Sequence, residues 1–280
     1  MQMSRFHIIV SAENNPYMAW QCKLFHYSCT SRVGVTPTFF VHDSGKKWHS
    51  GFRDIVGAGG FVRGVPSYAL TGGSYIYKPR NTPGTLLHAA EIFGTRDDYF
   101  VLCDPDMLFL GKPSFTTPLS ANFYSYMNYD DDRTLLAAER CGVSPNEILN
   151  REELRCGVPY VIAAKSAKQL AEAWLDAIDQ FPEGMWESIM YALGLAVVRL
   201  KMPISLTHIV GRKCRMTEKP DGDMIHYCYS GDMWDKRAFF TEQESSAVWV
   251  SAPDARKGTI MAHILAQLAE ARTFYSRLGI

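Results

Sequence analysis

The stretch Tyr99-Phe-Val-Leu-Cys-Asp-Pro-Asp-Met-Leu-Phe-Leu110 decides how the rest of the chain is read. Its apolar run over residues 100–103 shows no polar alternation, as expected of a strand covered on both faces in an α/β sheet. Polarity returns at Asp104 and Asp106, two residues apart at the strand's carboxyl end, the edge of an open α/β sheet where ligands bind. Pro105 has no N–H for the ladder and a fixed φ, so the chain leaves the sheet there with both carboxylates near one point. Two converging carboxylates repel unless a cation lies between them, and hard divalent cations take such oxygen ligands while sharing substrate phosphates. A metal-diphosphate site is the simplest reading. A plain strand-end turn competes with it, since Asp and Pro are ordinary turn residues. The apolar runs on both sides of the Asp pair weigh against a surface turn.

Composition narrows the class. With 280 residues, 47% hydrophobic and 21% charged, the chain is globular and long enough to bury a substantial core. The formal net charge is zero, which excludes a strong global field steering the protein to nucleic acid while leaving local patches open. Seven cysteines, with no Cys-x-x-Cys pair, fit neither a disulfide framework nor a zinc site. Cys29, Cys103 and Cys228 lie in apolar company, so a reducing, cytoplasmic setting is expected. Met1-Gln-Met-Ser-Arg5 runs directly into a first strand without a signal peptide, and no apolar run is long enough to span a bilayer.

Outward from the Asp pair, the pattern predicts strand, loop and helix in succession. Residues 6–10 form a short strand, Ser11-Ala-Glu-Asn-Asn-Pro16 a polar loop, and Trp20, Leu24 and Tyr27 recur at helical spacing. Residues 38–41 form a second strand ended by His42-Asp-Ser-Gly45. Gly57-Ala-Gly-Gly60 opens no helix after a strand and reads as a connector, not a dinucleotide loop. Residues 64–84 read as irregular, with Lys78, Arg80 and Asn81 just before Pro83, which suits the first turn of a helix through Phe93. A helix start with basic neighbours is an anion site, or else the cations are simply solvated.

Past the Asp pair, residues 123–127 are predicted as a strand and Asp130-Asp-Asp132 as a solvated loop. Cys156-Gly-Val-Pro-Tyr-Val-Ile-Ala163 reads as a glycine turn feeding a strand. Ser166 is the expected N-cap of a helix striped by Leu170, Trp174 and Ile178 and stopped by Pro182, and a second helix runs over residues 183–196. Between 199 and 219 stand Arg199, Lys201, Arg212, Lys213, Arg215 and Lys219 against Glu218 alone, a formal excess of five positive charges. A solvated basic loop is the default there, and a phosphate-rich partner the alternative. Residues 224–229 form a strand carrying His226, and residues 256–278 a final packing helix.

Taken in order, these pieces resemble a glycosyltransferase group. Asp104-Pro-Asp106, Cys156-Gly-Val-Pro-Tyr-Val-Ile162, Trp186 through Met190-Tyr191, and His226-Tyr-Cys-Tyr229 followed by Lys236 are similar to the hydroxyproline O-arabinosyltransferases and peptidyl serine α-galactosyltransferases. Asn14-Asn-Pro-Tyr-Met-Ala-Trp-Gln-Cys22 resembles that group's first loop and helix. The resemblance implies a GT-A fold, a Rossmann-like mixed sheet flanked by helices with Asp-x-Asp at a strand end. It implies one domain over 1–280: a nucleotide-sugar half near 1–110, an acceptor half with the metal-ligand histidine over 111–255, and a terminal helix over 256–280.

The resemblance also implies an activity: metal-dependent transfer of a sugar from a nucleotide diphosphate sugar, preferably a UDP-sugar. Asp104, Asp106 and His226 would hold Mn²⁺ or Mg²⁺, with Asp106 also counted as catalytic; from the residues alone, a lone histidine in an apolar strand is more often a core residue. Lys236 would neutralise the departing diphosphate. Lys78 and Asn81 fall where the group approaches the donor, and Ser11 and Asp43 lie at strand ends open to a nucleotide. Glu187 is the candidate carboxylate near the anomeric carbon, or else a surface helix acid. The group places its acid immediately before Met190-Tyr191, where this chain has Ile189.

The expected acceptor is a hydroxyl on a macromolecule. It is either a hydroxylated or serine side chain of a protein, or a hydroxymethylated DNA base whose phosphates the 199–219 stretch would contact. Two other classes share the Asp-x-Asp signal. A phosphatase of the haloacid dehalogenase type places the motif near its domain start, unlike this chain, and a non-catalytic nucleotide-sugar or nucleic-acid binding module predicts binding without turnover.

Overall fold

The computed structural model describes residues 5–43, 45–72, 75–93, 98–115, 118–228, 234–251 and 253–280. In chain order the elements are β1 (Phe6–Glu13), α1 (Pro16–Arg32), β2 (Thr38–His42), α2 (Ser50–Gly57), β3 (Phe61–Val65), α3 (Asn81–Phe93), β4 (Tyr99–Cys103) and β5 (Met107–Phe109). There follow β6 (Leu119–Phe123), α4 (Asp132–Arg140), β7 (Cys156–Ala163), α5 (Ala164–Ile178), α6 (Ser188–Arg199), β8 (Ser205–Thr207), β9 (Met224–His226), α7 (Glu242–Ala247) and α8 (Ile260–Arg277). A seven-stranded sheet has the order β3-β2-β1-β4-β7-β6-β8, and β5 pairs with β9 in a separate two-stranded ribbon. The large sheet is mixed: β2 runs parallel to β3 and β6 to β8, while β7 is antiparallel to both β4 and β6. The apolar run before the Asp pair is the central strand β4, with Phe100, Val101, Leu102 and Cys103 all fully buried.

Contacts divide the chain into two compact units assembled from alternating stretches. One comprises Met1–Ile9, Pro66–Leu102 and Phe115–Thr207; the other comprises Val10–Val65, Cys103–Ser114 and His208–Ile280. In the first, β7 is buried along its whole length, and Trp174 of α5 is fully buried edge-on to Tyr160, with ring centroids 5.2 Å apart. Asp98 receives Arg5 and His7 side chains and, through its carbonyl, the Ala164 N–H.

Several local expectations are corrected here. Ser166 is not the N-cap of α5: the helix starts at Ala164, whose N–H donates to the Asp98 carbonyl at 2.9 Å, and Ser166 Oγ bonds the Ala163 carbonyl instead. The next helix starts at Ser188, not 183, because the chain first turns at Gly184 (φ 86°) and the Ile189 N–H then donates to the Tyr77 hydroxyl. The strand expected at 123–127 is Leu119–Phe123, its polar Ser120 and Asn122 buried where β7 and β8 flank it. Asp131 is no free loop acid but the N-cap of α4, accepting from the Arg133 and Thr134 N–H groups. Of residues 224–229, only Met224–His226 form a strand, and Tyr229 lies outside the described residues.

In the second unit β1 continues through Glu13, so Ser11 stands inside a strand and not on a loop. Helix α1 follows at once, with Asn15 as N-cap accepting from Met18 N–H at 2.8 Å and Pro16 in the first turn, where its missing N–H costs nothing. The stretch 57–60 is indeed a connector, closing α2 and turning at Gly59 (φ 83°) into β3. Helices α1 and α8 contribute Trp20, Leu24, Ile264 and Leu268 to a core with Leu108 of β5 and Ile225 of β9. Two buried polar groups fix β5 against this core: Ser28 Oγ accepts from the Phe109 N–H at 2.7 Å, and Gln267 donates to the Phe109 carbonyl at 2.9 Å. The ribbon that carries the functional candidates is thus bolted to two helices.

Candidate functional site

Asp104 and Asp106 flank the turn between β4 and β5, and register then delivers the third group. In the β5–β9 ladder Met107 lies opposite His226, so the histidine is placed one residue beyond Asp106, 120 positions away in sequence. The Tyr227 N–H donates to the Asp106 carbonyl at 3.1 Å and closes the end of the ribbon. His226 Nε2 lies 3.3 Å from Asp106 Oδ1 and 3.9 Å from Asp104 Oδ2. Asp104, Asp106 and His226 each offer a ligand atom, all within 4.8 Å of one another. Two carboxylate oxygens and one imidazole nitrogen form a donor set suited to Mn²⁺ or Mg²⁺, with open positions left for substrate oxygens.

Lys236 joins this group from a separate element. It begins a short 3₁₀ turn, Lys236–Phe239, entered through Asp235, whose carboxylate caps the Arg237 N–H at 2.8 Å. Its ammonium contacts Asp106 Oδ2 directly, and both residues are buried. The charges are therefore strongly coupled. Burial works against ionised Asp106, but the Lys236 ammonium and then His226 overcome it and hold the carboxyl well below the usual range. Burial, and secondarily the Asp106 charge, pushes Asp104 up to about 6. Burial alone would lower His226, and Asp106 outweighs it and raises the imidazole.

The remaining sequence candidates divide between the units. Ser11 and Asp43 belong to the same unit as the Asp-Asp-His group, Ser11 within β1 and Asp43 just after β2, where its carboxylate accepts the Gly45 N–H at 2.8 Å. Lys78, Asn81 and Glu187 belong to the other unit. Lys78 is exposed in a 3₁₀ turn leading into α3; Asn81 is buried, and its side-chain oxygen accepts the Tyr68 N–H at 2.8 Å. Glu187 is half-buried at the start of α6, where its carbonyl accepts the Met190 N–H at 2.9 Å. Two of their neighbours, Tyr77 and the Arg80 expected among the cations of an anion-binding helix start, are committed to distant partners. The Tyr77 hydroxyl donates to the Trp186 carbonyl at 2.6 Å and accepts from the Ile189 N–H at 2.9 Å, and Arg80 grips Asp179 with two bonds of 2.8 and 2.7 Å. Neither pairing has a local signal, since its partners lie about a hundred residues apart.

The basic stretch at 199–219 is partly neutralised. Arg199 pairs with Asp176 at 2.5 Å and Lys213 with Glu218 at 3.7 Å, while the Arg212 and Lys213 N–H groups hold the Asp221 carboxylate. Residues up to Thr207 belong to one unit and those from His208 to the other.

Comparison with solved structures identifies the architecture. WbbM, a bifunctional glycosyltransferase, superposes with a TM-score of 0.57 over 99% of this chain at 12% identity. An active-site mutant of LgtC superposes with a TM-score of 0.50 over 89% of this chain and 98% of its own, at 15% identity. The fold is GT-A. The chain spans about half of WbbM, 52% of its length. No protein-family model matches the sequence. No curated protein matches it either. Among the described residues no helix is long and apolar enough to cross a membrane.

Proposed function

We propose that this chain is a metal-dependent glycosyltransferase that moves a sugar from a nucleotide diphosphate sugar, a UDP-sugar by its resemblance, to a hydroxyl on a macromolecule. The observation that carries the reading is the convergence of Asp104, Asp106 and His226 on one point, with the Lys236 ammonium beside them, at the end of a central strand of a GT-A fold. When bound, Mn²⁺ or Mg²⁺ at the three ligands supplies charge neutralisation to the departing diphosphate. Lys236 adds a second positive charge for the same leaving group, and the rigid β5–β9 ribbon keeps the ligands from relaxing apart.

The sugar–phosphate bond breaks with oxocarbenium character, so leaving-group stabilisation and placement of the acceptor hydroxyl carry most of the rate. Glu187 is assigned the carboxylate facing the sugar. Ser11, Asp43, Lys78 and Asn81 are assigned to donor binding. The acceptor hydroxyl belongs to a protein side chain or to a hydroxymethylated DNA base, the latter using cations of the 199–219 stretch.

The test is UDP release from UDP-sugars with Mn²⁺, in the presence of duplex DNA containing hydroxymethylcytosine, unmodified duplex, or hydroxyproline- and serine-containing peptides. Release that needs one of these acceptors and stops in EDTA supports the assignment and names the acceptor. No release with any donor, with or without Mn²⁺, refutes it.

A further inference from the structure

Asp106 divides its two carboxylate oxygens between different partners. Oδ1 faces His226 Nε2 at 3.3 Å, on the side of the candidate metal site, while Oδ2 is held by the Lys236 ammonium. With residue exposures of only 5% for Asp106 and 6% for Lys236, this is not a screened surface bridge. The lysine is also delivered by a fixed support: neighbouring Trp234 is buried in the core with Trp20 and Tyr227, and Trp20 Nε1 donates to the Phe239 carbonyl at 3.1 Å, at the far end of the same 3₁₀ turn. Asp104 and Asp106 bring two formal negative charges, and Lys236 cancels one of them. Asp106 thus presents one oxygen on the side of its fellow candidate ligand His226 and has the other already committed to an ammonium.

We infer that Lys236 couples metal binding to donor binding. Resting on the metal-diphosphate reading above, the inference adds that Lys236 weakens the site for a bare cation and exchanges Asp106 Oδ2 for diphosphate oxygens when the donor arrives. The exchange frees the second Asp106 oxygen and restores the full negative charge of the pair to the cation. Because coupling is reciprocal, the nucleotide tightens metal binding and the metal tightens nucleotide binding by the same factor. No covalent bond changes; one ammonium moves between two anions.

The experiment titrates Mn²⁺ into the full chain, reading free Mn²⁺ by electron paramagnetic resonance, with and without saturating UDP. In the parent, UDP tightens Mn²⁺ binding roughly tenfold or more. Lys236→Met binds Mn²⁺ alone roughly tenfold more tightly than the parent, and its UDP enhancement falls to about threefold or less. Lys236→Arg, which keeps the cation, stays near the parent without UDP. If Lys236→Met does not fold with Asp106 left bare, Lys236→Gln supplies the same measurement with a neutral donor. Unchanged or weaker Mn²⁺ binding in the neutral variant without UDP overturns the inference. If the parent then still releases UDP from donor in Mn²⁺, the glycosyltransferase reading stands; a parent that neither binds Mn²⁺ nor releases UDP overturns both.

Discussion

One identifiable buried group should make this protein less stable in acid. His26 on α1 is 1% exposed, and its Nδ1 lies 2.8 Å from the hydroxyl of Tyr275 on α8, a hydroxyl that also donates to the Lys23 carbonyl at 3.4 Å. Burial lowers the imidazole from 6.5 to about 4. Between those values the unfolded chain binds a proton that the folded chain refuses, so stability rises with pH across that window and is lost as pH falls through it. The contribution is complete above pH 6.5. At 1.36 kcal/mol per pKa unit, the full shift corresponds to about 3 kcal/mol lost on acidification to pH 4 and below.

The assay is urea unfolding at pH 7.5 and pH 4.5 for the parent and for His26→Gln, so that all other titrating groups cancel in the difference. The glutamine variant is expected to be the less stable protein at pH 7.5 and to lose about 2 kcal/mol less than the parent on going to pH 4.5. Equal losses in the two proteins would refute the reasoning, because they would mean that His26 titrates alike in the folded and unfolded chains.

Other expectations follow from equally local geometry. A Cβ on Gly194 would lie 2.0 Å from the Tyr129 hydroxyl, which is committed to the Leu154 carbonyl at 3.0 Å. Gly194→Ala should therefore cost about 2–3 kcal/mol in urea unfolding, and adding Tyr129→Phe should recover part of it. A double-mutant cycle of Arg80→Met with Asp179→Asn should return a coupling of about 1–3 kcal/mol, since the fork is bidentate and the side chains are only 14% and 20% exposed. Asp106→Asn should lower Mn²⁺-dependent UDP release by about a hundredfold or more, with EDTA-treated parent recovering fully on Mn²⁺ addition. Glu187 makes no side-chain cap hydrogen bond at the start of α6, so Glu187→Gln should leave the melting temperature within about 1 °C while reducing kcat.

The sequence by itself determined the elements whose pattern is local. An unbroken apolar run of strand length reads as a doubly covered strand, and β4 and β7 lie where those runs are, with both aspartates just past the end of β4. The GT-A expectation came from the resemblance of the ordered motifs, while α3 is legible from Pro83 in its first turn and α8 from its apolar stripe, each to within a few residues at its start. Tertiary structure decided everything that a distant partner settles. Ser166 had the chemistry of an N-cap, but the Asp98 carbonyl took the orphan N–H of α5; Tyr77 set the start of α6 from more than a hundred residues away. His226 is unremarkable in its own strand, and only the register of β5 against β9 brings its imidazole to Asp106. The pairing of Lys236 with Asp106 spans 130 residues and leaves no trace in periodicity or composition. Local pattern reports which face of an element is buried; which charge meets which, and at what distance, depends on how separate elements pack together.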